Sequence, residues 1–249
     1  MKVAVFSDIH GNYTAWQKAF SLMQEQDIDK YLCAGDLVGY GPRPNAVINH
    51  LRSQQAAGLD LTIVPGNHDY GVINEQSLRR FNAHAKQAIQ WTRQELSKEN
   101  RDFLAKLPLT WSDQDLLLAH GTPENPIWEY LRGWNVNNIF ANHNFKYCFV
   151  GHTHLLQAFT ASQDSNAAQK TKLSTNHSLT LEPQQRVVIN DGSIGQPRDH
   201  NPQGSFIVLD TTKNKIDVIR FQYDINQTQQ LIYDSDLPNL EGERLAEGR

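Results

Sequence analysis

Val3-Ala4-Val5-Phe6-Ser7-Asp8-Ile9-His10-Gly11-Asn12 sets the reading of the whole chain. Four apolar, β-prone residues in a row read as a strand buried on both faces. A carboxylate and an imidazole follow at its carboxyl end, where open α/β sheets gather their ligands. Their i, i+2 spacing puts both side chains on the same side of an extended segment. Gly11 allows a tight exit. Asn12 suits the N-cap of a helix whose apolar face is Ala15, Trp16, Ala19, Phe20 and Met23.

The same arrangement recurs along the chain. Leu32-Cys33-Ala34 runs into Gly35-Asp36, and Leu61-Thr62-Ile63-Val64 into Pro65-Gly66-Asn67-His68-Asp69. Leu116-Leu117-Leu118-Ala119 runs into His120-Gly121, and Tyr147-Cys148-Phe149-Val150 into Gly151-His152-Thr153-His154. One such junction means little, because Asp and His are common in loops after strands. Five of them predict a single convergent site.

Around these junctions the pattern is α/β. Strands at 31–34 and 61–64, with a helix over 44–52 between them, continue a βαβαβ order with parallel strands and right-handed crossovers. Residues 77–98 read as one long helix, followed by a shorter one over 101–107 and a strand over 115–119. Beyond His154, strand-like segments at 157–160, 186–190, 205–209 and 215–223 have no comparable helix between them. They predict antiparallel strands forming a second sheet stacked on the first. Residues 161–185 are polar and read as an inserted hairpin or mobile loop. Residues 234–249, with Pro238 and several charges, read as a loosely held tail. A length of 249 residues suffices for one large α/β domain or two small ones, and the chain is read as a single domain over 1–249.

Net charge is −4 with no basic block, which argues against an obligate nucleic-acid partner but leaves a small anionic substrate open. The two cysteines, Cys33 and Cys148, lie inside apolar runs and read as buried thiols, consistent with a reducing cytoplasm. No run reaches membrane length, and the segment before Asp8 is too short for a signal peptide, so a soluble cytoplasmic protein is expected.

The candidate ligands are Asp8, His10, Asp36, Asn67, His120, His152 and His154. Two carboxylates, one amide oxygen and four imidazoles suit Mn²⁺, Fe²⁺/Fe³⁺, Zn²⁺, Co²⁺ or Ni²⁺ better than Ca²⁺ or a thiolate-bound structural zinc. Seven ligands are too many for one such ion and suit two ions sharing a carboxylate.

Asp8-x-His10, Gly35-Asp36, Gly66-Asn67-His68-Asp69, His120 and Gly151-His152-x-His154 resemble, in order, the five blocks of the calcineurin-like metallophosphoesterase family. Asn190-x-Gly192-Ser193-x-Gly195-Gln196-Pro197-Arg198-Asp199 resembles a stretch common in its small bacterial members. The resemblance implies a four-layer αββα sandwich of two mixed β-sheets flanked by helices, with two metals at the strand ends. It assigns Asp8, His10 and His154 to one metal, Asn67, His120 and His152 to the other, and Asp36 to a bridge. It implies phosphoester hydrolysis by a metal-bridging hydroxide, with His68 as general acid oriented by Asp69.

One departure narrows the class. The protein-phosphatase branch and the symmetrical dinucleoside tetraphosphate hydrolases continue the second block into Asp-Arg-Gly, where this chain has Gly39-Tyr40-Gly41. Without that arginine, small phosphodiesters or nucleotide-type phosphoesters are expected over phosphomonoesters and phosphoproteins. Arg43 is nearby but shifted.

Asn12, Arg198 and His200 are the candidates for holding substrate. The alternatives are a salt bridge for Arg198 and a plain loop role for His200. Trp128, Tyr130 and Trp134 either line a cleft or pack their loop. His50, His84 and His143 read as surface or packing residues, and His177 as solvated. The reading from another class is a protein-interaction scaffold of this fold; retention of all seven ligands and His68 weighs against it.

Overall fold

The computed structural model describes residues 1–171, 173 and 178–249, so His177 lies outside the described residues. In chain order the elements are β1 (Lys2–Phe6), α1 (Tyr13–Gln24), β2 (Lys30–Cys33), α2 (Pro44–Ala56), β3 (Leu61–Ile63), α3 (Asn67–Ile73) and a 3₁₀ segment (Glu75–Arg80). Then come α4 (Ala83–Glu95), α5 (Lys98–Leu104), β4 (Thr110–Asp113), β5 (Leu116–Ala119), α6 (Val136–Asn142), β6 (Tyr147–Val150) and β7 (Leu156–Ser162). The chain ends with β8 (Gln169–Thr171), β9 (Ser178–Thr180), β10 (Gln185–Asp191), β11 (Gly204–Asp210), β12 (Lys215–Phe221), α7 (Ile225–Tyr233) and α8 (Leu240–Glu247).

Two mixed six-stranded sheets stack face to face, ordered β3-β2-β1-β11-β12-β9 and β4-β5-β6-β10-β7-β8. Strand alternation explains the layers. Val3 and Val5 of β1 join Leu118, Phe149, Ile189 and Ile207 in the core between the sheets. Ala4 and Phe6 point the other way, onto Trp16, Phe20, Val47 and Leu51 of α1 and α2. On the far side, Cys148, Val150 and Val188 pack under Ile139 and Phe140 of α6. This is the αββα sandwich. Both cysteines are free and buried, and no described helix is long and apolar enough to cross a membrane.

Four local expectations are corrected. The second-half strands do not form a sheet of their own: β11 and β12 join β1, while β7 and β10 join β6. The reason is burial. Six of the seven residues of β11 are buried, which fits a place inside the first sheet beside β1. The long helix over 77–98 is broken at Phe81, whose backbone is extended, because the Asn82 side chain caps a new helix through the Ala85 amide. Ser97 likewise caps α5.

The stretch 161–185 is not a hairpin closing on itself among its described residues. Its strand β8 pairs with β7 in one sheet and β9 with β12 in the other. Residues 234–249 are not a loose tail. Leu245 of α8 is buried with Tyr40, Ala85, Ala88 and Ile232, and Glu241 and Glu243 complement the dipole in the first turn of that helix.

The sandwich aims its strand ends at one place. The parallel pairs β1·β2, β2·β3, β5·β6 and β6·β10 all end at the same edge, and their following loops carry the candidate ligands.

Candidate metal centre

Asp8, His10, Asp36 and His154 present ligand atoms within 4.8 Å of one another, and Asp36, His120 and His152 form a second such group. All are buried and Asp36 belongs to both. Asn67 joins the second group, its Oδ1 3.1 Å from His120 Nε2.

The imidazole tautomers follow from what their other nitrogens touch. Nδ1 of His10, His120 and His154 lies 3.1, 2.8 and 2.6 Å from the carbonyls of Val38, Ala34 and Gln196. A carbonyl only accepts, so each Nδ1 carries the proton and each Nε2 presents a lone pair. Those lone pairs face other acceptors. His10 Nε2 is 3.1 Å from His154 Nε2, His154 Nε2 is 3.2 Å from Asp8 Oδ1, and His120 Nε2 is 3.4 Å from Asp36 Oδ2. Asp8 Oδ1 and His152 Nε2 are buried and have no hydrogen-bond partner among the described residues. Acceptors set against acceptors repel unless a cation lies between them. Ligands about 2.0–2.2 Å from one ion stand roughly 3.0–3.5 Å apart in octahedral or tetrahedral arrangement, which is the spacing found here. The donor set fits a transition-metal ion.

The buried groups shift one another's protons, and the proton that Asp36 draws to His120 is the one a cation would displace. Burial alone would raise the Asp36 carboxyl, but His120, His68 and His10 hold it well below the ordinary carboxylate range. Burial opposes charge on His120, yet Asp36 brings that imidazole up to about 9. Burial pushes His152 down to about 3 and His154 well below its ordinary value.

The backbone is strained here. Asp8, His10, Asp36, His152 and His154 all have φ between 50° and 69°, a left-handed region costing roughly 1–2 kcal/mol per non-glycine residue. Asp and His tolerate it better than most residues. Close approach also needs glycine: a Cβ on Gly66 would fall 2.0 Å from Asp36 Oδ1.

His68 lies on the wall of a cavity of about 380 Å³ that also contacts Asp36, Asn67, His152 and His154. Its ring packs against Tyr40 at 4.3 Å and Phe81 at 5.3 Å. Burial holds it well below the ordinary imidazole value. Asp69 does not orient it. His68 Nδ1 has no hydrogen-bond partner among the described residues, and the Asp69 carboxylate instead accepts the amides of Leu37, Val38 and Gly66 at 3.2, 3.1 and 2.9 Å. Burial, and then Asp36, push Asp69 up to about 7. Three donated amides oppose that and suit the ionised form.

The substrate candidates divide. Arg198 lines the cavity, with its guanidinium over the Tyr40 ring at 5.5 Å. Its side chain bonds Gln196 Oε1 rather than a carboxylate; the neighbouring Asp199 pairs with Arg220 instead. Asn12 is consumed internally, accepting the Ala15 amide and donating to the Gly195 carbonyl. His200 is exposed outside the cavity, with its amide bonded to the Gly248 carbonyl. Trp128 and Tyr130 line the cavity, Tyr130 stacking on His152 at 3.9 Å, while Trp134 is 73% exposed. Arg43 sits over the Tyr13 ring. His50 accepts from Trp16 Nε1, His84 is exposed, and His143 faces Glu124.

Three further groups shape the site without standing out as candidates in the sequence. Arg80, in the 3₁₀ segment, lines the cavity over the Trp128 ring. Ser7 donates to Asp8 Oδ2 at 2.5 Å and lies 3.2 Å from Asp191 Oδ2; burial, with the charge of Asp8 adding, pushes Asp191 up to about 8. Ser193 donates to the Asp8 carbonyl and accepts the Gln196 amide. Ser7 abuts the first motif and Ser193 sits in the Asn190–Asp199 stretch, so both were signalled; Arg80 carried no signal.

The chain belongs to the calcineurin-like phosphoesterase superfamily, whose domain pattern matches residues 1–214. It is 36% identical over 252 residues to the uncharacterized protein MJ0912 of Methanocaldococcus jannaschii, covering 99% of this chain and 98% of the relative. Among solved structures, a metallophosphoesterase from Sphaerobacter thermophilus is 30% identical with a TM-score of 0.85, covering 100% of this chain and 99% of that one. The hypothetical protein PH1004 from Pyrococcus horikoshii OT3 is 21% identical with a TM-score of 0.81, covering 100% and 98%; it shares the fold. Family and neighbours support phosphoesterase hydrolase activity.

The Asp69 geometry makes a direct prediction. Asp69→Ala leaves three buried amides without an acceptor and should destabilise the chain by about 3 kcal/mol or more. Denaturant unfolding measures it; a loss below about 1 kcal/mol would mean water replaces the carboxylate.

Proposed function

We propose that this chain hydrolyses small phosphodiesters or nucleotide-type phosphoesters with two transition-metal ions, His68 serving as general acid. The observation that carries this reading is the convergence of imidazole Nε2 atoms and carboxylate oxygens next to a cavity that Asp36, Asn67, His152 and His154 line together with His68 and Arg198. Asp8, His10 and His154 hold one ion, Asn67, His120 and His152 the other, and Asp36 serves both. Manganese, iron, zinc, cobalt and nickel all match this donor set. Such ions, when bound, supply Lewis-acid charge for the phosphoryl oxygens and a nucleophilic water at neutral pH.

The protein's own groups do the rest. Arg198 holds a phosphoryl oxygen with a charge-assisted hydrogen bond. Burial disfavours the His68 imidazolium, and the negative charge of a phosphate in the cavity would favour it, so that with substrate bound His68 can give its proton to a leaving alkoxide. Phe81, Trp128 and Tyr130 wall the cavity, which fits a small ester better than a folded phosphoprotein. Tyr40 stands where the protein-phosphatase branch has arginine, which leaves less charge for a phosphomonoester dianion. The buried free thiols agree with a cytoplasmic setting.

With Mn²⁺ present, kcat/KM should be higher for a nitrophenyl phosphodiester than for its monoester or a phosphopeptide. Chelation should abolish turnover of all three. Preference for the phosphopeptide would overturn the substrate class, and chelator-insensitive or absent hydrolysis would overturn the reading. His68→Ala should lower kcat by about 10²–10⁴ for alkyl esters and less for nitrophenyl esters, whose leaving groups need little protonation. An equal loss across leaving groups would reduce His68 to a positioning role.

A further inference from the structure

Glu241 of α8 is 1% exposed and lies beyond the residues matched by the family pattern. Such a carboxylate is costly to bury unless paired. Its Oε2 accepts Gln196 Nε2 at 3.0 Å and lies 3.4 Å from Arg244 Nη1. Gln196 is buried too, and its Oε1 accepts both Nε and Nη2 of Arg198, at 3.2 and 2.6 Å. Polarity fixes the amide. A carboxylate only accepts and a guanidinium only donates, so the NH₂ must face Glu241 and the oxygen must face Arg198. Tyr40 completes the cradle, with Arg198 over its ring at 5.5 Å and Arg244 at 5.8 Å.

We propose that Glu241 is a positioning residue which, through the side-chain amide of Gln196, fixes the Arg198 guanidinium in the cavity for phosphate, making α8 part of the substrate site. The proposal rests on the phosphoesterase reading. Two like-charged guanidiniums share the Tyr40 ring, and the buried carboxylate offsets their repulsion. Packing of Leu245 with Tyr40 holds the helix in register. The main-chain link to the metal centre is separate. The Gln196 carbonyl that accepts His154 Nδ1 is held by the bond from the Gln196 amide to Ser193 Oγ, so the side-chain relay acts on Arg198.

A double-mutant cycle tests this on Mn²⁺-loaded protein, reading KM and kcat for a nitrophenyl diester and the calorimetric Kd for inorganic phosphate. Glu241→Ala should raise KM and phosphate Kd about tenfold, the worth of one charge-assisted contact, with a smaller change in kcat. In the Arg198→Ala background the same substitution should shift either value by less than about twofold, because the relay then has nothing to hold. Glu241→Gln can still accept the Gln196 amide and should recover most of the loss. Equal fold-changes in both backgrounds, or no change in either, would overturn the proposal. If Glu241→Ala does not fold, Gln196→Met cuts the same relay and is read by the same cycle. If the wild-type chain hydrolyses no phosphoester, the enzymatic reading falls, while the phosphate Kd cycle still tests the relay.

Discussion

The structure depends on hydrogen bonds from imidazole Nδ1 atoms to main-chain carbonyls. Val38, Ala34 and Gln196 each take the proton side of a ring, which forces the opposite nitrogens of His10, His120 and His154 toward one another and toward carboxylates. Without a cation, that arrangement is repulsive. It persists because each ring is locked from behind by backbone that other elements hold, a pattern in which partners outside the ligand shell orient the ligands. The left-handed conformations of five of the seven candidate ligands, Asp8, His10, Asp36, His152 and His154, add strain that only the surrounding structure can sustain.

That support is distributed over both sheets. The chain from Asp191 to Gln196 wraps the end of β1: Ile194 and Gly195 amides bond the Ser7 and Asp8 carbonyls, and the Ser193 hydroxyl gives the Asp8 carbonyl a second bond. The Asp69 carboxylate pins the loop that carries Asp36 to the loop that carries Asn67 and His68. Asn190 donates to the Gly151 carbonyl and to Thr153 Oγ1, bracing the loop of His152 and His154. Candidate ligands that enter from five strand ends are therefore set by bonds between loops, and the sandwich core serves as the rigid frame.

Much of this was legible in the sequence because strands and ligands share a grammar: an apolar run, a glycine, then Asp or His. Convergence of the seven candidate ligands followed from that repetition. Partition of the later strands between sheets was not legible, since β10 and β11 both read as apolar runs and nothing local says which sheet they enter. Phe81 looked like one more residue of a helical face, and only the cap at Asn82 shows that the helix restarts there. Glu241 sits among Glu243, Arg244 and Glu247 in a run that reads as solvated surface. Its burial depends on Gln196 and Tyr40, far away in the chain. Asp69 adjoins His68 in sequence, yet the helical start at Asn67 turns its carboxylate toward Leu37 and Val38. Adjacency did not predict contact.

The central claim is that the converging lone pairs exist to hold cations. Anomalous diffraction from crystals grown with Mn²⁺ tests it most directly. Two anomalous peaks should lie within coordination distance of Asp36, one also touching Asp8, His10 and His154 and the other Asn67, His120 and His152. Peaks lying elsewhere, or none at saturating metal, would contradict it.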